Sequence, residues 1–463
     1  MRKRWILIGT AILIVGGAGA AAALLLAGHR DVTTSSSAAY DAYKEAVANE
    51  YRFYFKEARV GFAKALELDP NFAMAMLGLA RQTGDEQGKA LVRRAAREEG
   101  RLTERERLHV EMQLAYVERR PEDGLKIARQ LHAKYPADQR AATMLAHDAM
   151  QRGNPTEAMG FFEGLLAIDP NNADAYNQIG YYYGYRGEYD RAMENLKKYQ
   201  FIAPDTANPF DSLGENQAYA GHYTEAIENL TRALAVKPDF SPAYEHLGVA
   251  YEGMGNLPKA IESYRKAIEL ADSDEFRGKY LPEALRAACR AQDTAAMAEF
   301  RAAFSKLPKN PYTDLRAEIV DAAVMLFSGK PAEAETRLEA LIPKVEARWR
   351  ETEHPPAGEK AHFSELNGLL AHAKESLGKT DEAFRLYQAN ANPPKPFSNF
   401  ESRRWIIEAR ARMAVILARR GDLDGAEKLI AENRKWNPSW APTADAEATV
   451  AELRRARVLA AAK

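Results

Sequence analysis

The stretch PNNADAYNQIGYYYGYRGEYDRAMENLKKYQFIAP, residues 170–204, begins and ends on prolines 34 positions apart. Inside it Tyr176, Ile179, Gly180 and Tyr183 fall on one helical face, and Ala192, Leu196 and Tyr199 fall on another, the spacing of two amphipathic helices. Gly187 separates them. Proline closes the second helix because it lacks an N–H and pushes the preceding residue out of the helical region. The stretch therefore reads helix, turn, helix.

The same pattern recurs on both sides. Pro136, Pro170, Pro204 and Pro238 are evenly spaced, and Gly153, Gly187, Gly221 and Gly255 keep step with them, as do Ala158, Ala192, Ala226 and Ala260. Three columns with one period mark a repeat architecture. Gly180, Gly214 and Gly248 on the first helices, with the alanine column on the second, supply small residues where two backbones approach. These columns resemble the tetratricopeptide repeat, most clearly over residues 139–274. The resemblance loosens but continues through Ala58, Phe62, Ala65 and Pro70 before that region. After it come Ala296, Phe300, Ala303 and Pro308, and later Gly378, Ala383 and Tyr387, then Gly421, Ala426 and Ile430. The expectation is an all-α solenoid of roughly ten helix pairs over residues 40–463, stabilised by stacking of neighbours. Two register breaks, residues 351–361 with Pro355 and Pro356 and residues 390–400 with Pro393, Pro394 and Pro396, read as loop insertions.

Ahead of the repeats, Arg2, Lys3 and Arg4 precede an uncharged stretch, residues 5–28. At ~1.5 Å per residue a helix of that length crosses a hydrocarbon core of roughly 30 Å. The positive charges place residues 1–4 in the cytoplasm and everything beyond the span outside, periplasmic in a Gram-negative cell. A cleaved signal peptide competes with this reading, but the apolar run is longer than an h-region and Leu25 to Ala27 makes a poor cleavage site. Residues 29–39, small and polar, read as a flexible tether.

Composition narrows the function classes. The 463 residues carry 64 Lys and Arg against 65 Asp and Glu, so no overall field points to nucleic acid. One cysteine, Cys289, excludes an internal disulfide and any multi-cysteine zinc site. Arg93, Arg94, Arg97, Arg101, Arg105 and Arg107 alternate with glutamates, which cancels their field. Thr103 and Glu106 have the spacing of a capping box. His362, Glu365 and His372 are the one crowded His/carboxylate group, but positions seven apart on a helix lie ~10 Å apart, too far to share an ion. No nucleophile, acid/base pair or cofactor loop emerges, and the expectation is no enzyme, no cofactor and no metal.

The resemblance implies where a partner would lie. In such repeats the first helices line a concave face, and their groove positions correspond here to Asp174, Asn177, Tyr181 and Tyr185, to Asp211, Glu215 and Tyr219, and to Glu245 and Glu252. The implied groove is aromatic and acidic, suited to a Lys/Arg-bearing peptide or protein. The expected function is a membrane-tethered, non-enzymatic scaffold for protein–protein interaction. The segments Leu102–Leu108 and Lys64–Ala80 are similar to extracytoplasmic repeat regions of some bacterial receptor kinases and regulators. An extracytoplasmic sensor or adaptor subunit, or an assembly factor for envelope polysaccharide or outer-membrane proteins, is therefore the alternative.

Overall fold

The computed structural model describes residues 31–83, 86–309, 311–351, 357–392 and 400–461. They form 23 α-helices and no strand among the described residues. The chain divides into two compact units, Met1–Leu145 and Ala146–Lys463.

The first unit holds α1 (Ser37–Tyr51), α2 (Phe55–Leu68), α3 (Ala73–Thr83), α4 (Glu86–Ala95), α5 (Glu104–Val117) and α6 (Pro121–Lys134). They pack as the antiparallel pairs α1/α2, α3/α4 and α5/α6. The unit boundary falls inside α7 (Gln139–Gln151). The expected capping box opens α5: Thr103 accepts from the Glu106 N–H and Glu106 accepts from the Thr103 N–H. A buried ion group ties α1, α3 and α7 together. Glu50 accepts from Arg81 Nε at 2.8 Å and from Arg140 Nη2 at 2.6 Å. Burial works against the charged carboxyl, but the two guanidiniums hold its pKa at about 2.

Residues 31–39 differ from the expected tether. Thr33 donates its N–H and hydroxyl to Glu106 at 2.5 and 2.7 Å, and Thr34 and Ser35 donate to Asp69 at 2.6–3.0 Å. Ser36 caps α1, which has begun by Ser37. The physical reason is donor supply: short hydroxyl side chains and free N–H groups satisfy two carboxylates, Asp69 and Glu106, that the fold buries. Among the described residues no helix is long and apolar enough to cross a membrane. The expected span, residues 5–28, and the four residues before it lie outside the described residues.

In the second unit come α8 (Pro155–Ile168), α9 (Ala173–Arg186), α10 (Tyr189–Ile202), α11 (Ala207–Ala220), α12 (Tyr223–Val236), α13 (Ser241–Gly253) and α14 (Leu257–Leu270). They run 13 or 14 residues each. Local chemistry fixes their ends. The Asn172 side chain caps α9 by accepting from Ala175 N–H at 2.9 Å, and Gly187, at φ +78°, ends it in the left-handed conformation that a side chain would strain. Close packing explains Gly180: a Cβ there would sit 2.5 Å from Leu196 Cγ on α10. Ala192, Ala226 and Ala260 are fully buried.

Then follow α15 (Asp274–Ala291), α16 (Thr294–Phe304), α17 (Pro311–Phe327), α18 (Pro331–Glu351), α19 (Ala357–Ser376), α20 (Thr380–Ala391), α21 (Phe400–Arg420), α22 (Leu423–Trp436) and α23 (Ala441–Ala461). Pairing continues through α21/α22, and α23 packs on both members of that last pair. Six of these helices are longer than any in α8–α14: 18 residues for α15, 17 for α17, 21 for α18, 20 for α19, 21 for α21 and 21 for α23. The expected loop insertions shrink accordingly, because Glu351, residues 357–361, residues 390–391 and Phe400 are helical. Residues 352–356 and 393–399 lie outside the described residues.

Candidate functional site

A repeat of 34 residues stacks equivalent positions of successive first helices, so side chains 34 apart meet on the face formed by α9, α11, α13 and α15. Tyr181 donates its hydroxyl to Glu215 at 2.5 Å, Lys279 donates to Glu245 at 3.3 Å, and Arg286 Nη2 donates to Glu252 at 2.7 Å. Each bond joins neighbouring repeats along one column.

Two clusters grow on this ladder. In the first, His246 lies 2.8 Å from Asp211 through Nδ1, and through Nε2 it lies 3.0 Å from Glu245 and 3.3 Å from Glu215. Burial alone would lower its pKa, but the three carboxylates raise it well above the usual histidine value, so the imidazole stays protonated. Burial raises the Asp211 carboxyl, with His246 opposing; Glu215 and Glu245 are held low by His246 and Lys279 against the same desolvation.

The second cluster centres on Glu252, which accepts from Arg286, from Arg290 at 2.8 Å and from the Tyr264 hydroxyl at 3.2 Å. Glu283 accepts from Arg286 at 2.7 Å and from Arg404. Despite burial, Arg404 and Arg286 hold the Glu283 carboxyl at about 2. Arg404 reaches this cluster from α21, more than a hundred residues away in the sequence.

The start of α21 fills the rest of the face. Phe400 stacks on Tyr219 with ring centroids 4.3 Å apart and meets Tyr185 edge-on at 4.9 Å. Arg403 donates to the carbonyls of Gly184, at 3.0 Å, and Tyr185, and to the Tyr189 hydroxyl at 2.8 Å. Both carbonyls lie in the last turn of α9, where Gly184 also accepts from the Gly187 N–H, so a guanidinium adds to the cap of that helix. One repeat length later, Asn437 does the same on α11, donating to the Tyr219 carbonyl at 3.2 Å while accepting from the Tyr223 hydroxyl at 3.1 Å.

The expected groove residues are therefore brought together, but not as an open groove. Asn177, Asp211, Glu215, Tyr219, Glu245 and Glu252 are 0–8 % exposed, and Asp174, Tyr181 and Tyr185 are half-buried. The expectation of a solvent-facing acidic surface is corrected for this reason: the chain supplies its own aromatic and cationic occupant, Phe400 with Arg403 and Arg404. Lys279 and Arg286 were legible as the residues 34 beyond Glu245 and Glu252. Phe400, Arg403 and Arg404 lie 121 to 219 positions from the residues they cover, and no pattern in the sequence links them.

The remaining candidates sort as follows. Cys289 is buried, and burial raises its thiol to about 12 against the opposing charge of Arg286, which leaves it no thiolate at neutral pH. Of the crowded His/carboxylate group, Glu365 and His372 lie on α19 and the His362 side chain is outside the described residues. Among the described residues no group of three or more His, Cys, Asp or Glu is arranged to hold a metal ion.

A tetratricopeptide-repeat family model matches residues 111–173 and 212–275, and a second such model matches residues 161–194. No curated protein matches the chain. Among solved structures, the chain is similar to the APC/C hetero-tetramer Cut9–Hcn1, with 13 % identity, a TM-score of 0.47, and 89 % of this chain and 76 % of that one covered. It is also similar to PilW, a type IV pilus biogenesis factor, with 19 % identity, a TM-score of 0.37 and 45 % of this chain against 96 % of that one. MamA gives 23 % identity, a TM-score of 0.29 and 34 % against 93 %. The matched segments are tetratricopeptide repeats within an all-α repeat array, a fold that generally serves as a non-enzymatic scaffold for protein–protein interaction.

Proposed function

We propose that this tetratricopeptide-repeat chain is a membrane-tethered scaffold that gathers partner proteins on the outer side of a cytoplasmic membrane. The observation that carries the reading is the succession of helix pairs, which recurs within each unit on both sides of the matched segments. Stacked helix pairs present long faces of exposed side chains suited to other chains, and neither buried cluster offers an activated nucleophile or an acid/base pair open to a substrate. The tether is the uncharged stretch at residues 5–28, with Arg2, Lys3 and Arg4 holding the N-terminus in the cytoplasm.

The Lys/Arg-bearing segment first expected on the acidic face is supplied in cis by Arg403 and Arg404, so partners bind elsewhere on the array. Deleting residues 1–30 releases the chain from the membrane fraction. A reporter fused after Lys463 is active only outside the cytoplasm. Affinity capture from solubilised membranes with the intact chain retains specific proteins, whose identities separate a general scaffold from a sensor subunit or an envelope assembly factor. A chain that stays with membranes after the deletion, or a cytoplasmically active reporter, overturns the tether; capture of nothing specific overturns the scaffold.

A further inference from the structure

Below the Glu252 cluster the first helices α15, α17, α19 and α21, with α20, enclose a cavity of about 670 Å3, its open mouth included. That is room for a compact ligand and not for a peptide. Its walls are apolar and aromatic, from Leu285, Phe327, Leu369, Tyr387 and Trp405.

The charged groups on those walls are unevenly satisfied. Arg286 and Arg290 are neutralised on Glu252 and Glu283. Arg412 is held more loosely: it pairs with Glu375 at 3.8 Å and makes no hydrogen bond among the described residues. One helical turn before it on α21, Glu408 also lines the cavity and has no ion-pair partner among the described residues. Glu365, across the cavity on α19, has only Arg316 at 3.6 Å, and burial raises its carboxyl. The Asn390 amide and the neutral imidazole of His372 add uncharged polar groups to the same lining.

A cavity wall whose guanidinium and two carboxylates have at most a loose ion pair each, Arg412 with Glu375 and Glu365 with Arg316, and no hydrogen bond among the described residues leaves groups of both signs able to bond to something else. Water meets them less well than a molecule carrying the opposite charges at fixed separation. We propose that this cavity binds a small zwitterion of the α-amino acid class: carboxylate on Arg412, ammonium between Glu408 and Glu365, and an apolar side chain against Phe327, Leu369 and Trp405.

The test is calorimetric titration of the full-length chain in detergent with L-leucine, with 4-methylpentanoate, which lacks the ammonium, and with 3-methylbutylamine, which lacks the carboxylate. The expected result is one L-leucine per chain, with each analogue weaker by at least about tenfold, the ~1.4 kcal/mol lower limit for one lost charged contact. Arg412→Gln and Glu408→Gln each weaken L-leucine to a similar degree, with helical content by circular dichroism confirming that they fold. The analogue comparison needs no variant and stands if either one fails to fold. Absence of saturable L-leucine binding overturns the proposal. So does either analogue binding as tightly as L-leucine, which would make this a site for a simple anion or cation.

Discussion

Two stretches of the second unit are built from the same helix-turn-helix and come to different ends. In α8–α14 every helix is 13 or 14 residues long, the 34-residue spacing holds, and equivalent side chains bond to each other along columns. In α17–α21 most helices are longer and the spacing is lost. The regular stretch makes a face of tyrosines and carboxylates; the irregular stretch closes it, with Phe400, Arg403 and Arg404 at its end. The repeat stretch generates the acidic ladder and meets part of it with His246, Lys279, Arg286 and Arg290, while Glu283 takes a further guanidinium, Arg404, from outside. The departure from the repeat is what completes the burial.

The sharpest way to break this comparison is to reverse the charge at Glu252. Glu252→Lys would set an ammonium among Arg286, Arg290 and Arg404 in a site with no exposure, and removing one partner of a buried pair already costs about 3–5 kcal/mol. The expected outcome is loss of the cooperative urea transition of the second unit; an unchanged midpoint would mean that the face is open after all. Phe400→Ala removes the aromatic plug, 2 % exposed, and is expected to lower stability by about 3–5 kcal/mol. If the closing segment merely rests on the regular stretch, the loss will fall under 1 kcal/mol, roughly that of a half-exposed contact.

Acid tests the irregular stretch by itself. Burial, with Arg412 adding to it, lowers the pKa of His372 from 6.5 to about 4. The unfolded chain takes up that proton below about pH 6.5 and the folded chain only near 4, so stability is full above 6.5 and falls between the two values. The loss amounts to at most about 3 kcal/mol. His372→Phe should flatten that part of the profile, as read from urea midpoints between pH 7 and pH 4, at values set by ordinary histidine titration. In the regular stretch, Gly180→Ala sets a Cβ against Leu196 and should cost about 1–3 kcal/mol as overpacking. Phe201, 86 % exposed on α10, marks the lower end: Phe201→Ser should shift stability by less than about 0.5 kcal/mol.

Much of this was legible before the structure. The proline, glycine and alanine columns placed α9–α14 to within a residue or two, because each column has a local cause: a missing N–H, a left-handed turn, a close backbone approach. The chosen face was legible too, since Asp211, Glu215, Glu245 and Glu252 do lie together. Its exposure was not, because burial there depends on Phe400, Arg403 and Arg404, whose contacts span 121 to 219 residues and obey no period. The segment at residues 33–39 misled for a related reason. Small polar residues look unattached when read alone, yet Thr33, Thr34 and Ser35 find Glu106 and Asp69 far along the chain.

The sequence by itself determined the repeat: the helix pairs, their turns, the small residues between them and the column partners 34 apart, all set by interactions within one or two repeats. Only the tertiary structure decided that the acidic face is closed, that Arg403 and Asn437 cap helices of distant repeats, and that Arg412, Glu408 and Glu365 surround one cavity. Those features depend on how far successive helix pairs rotate and how long the later helices run. Those quantities accumulate over many residues and are written in no single one of them.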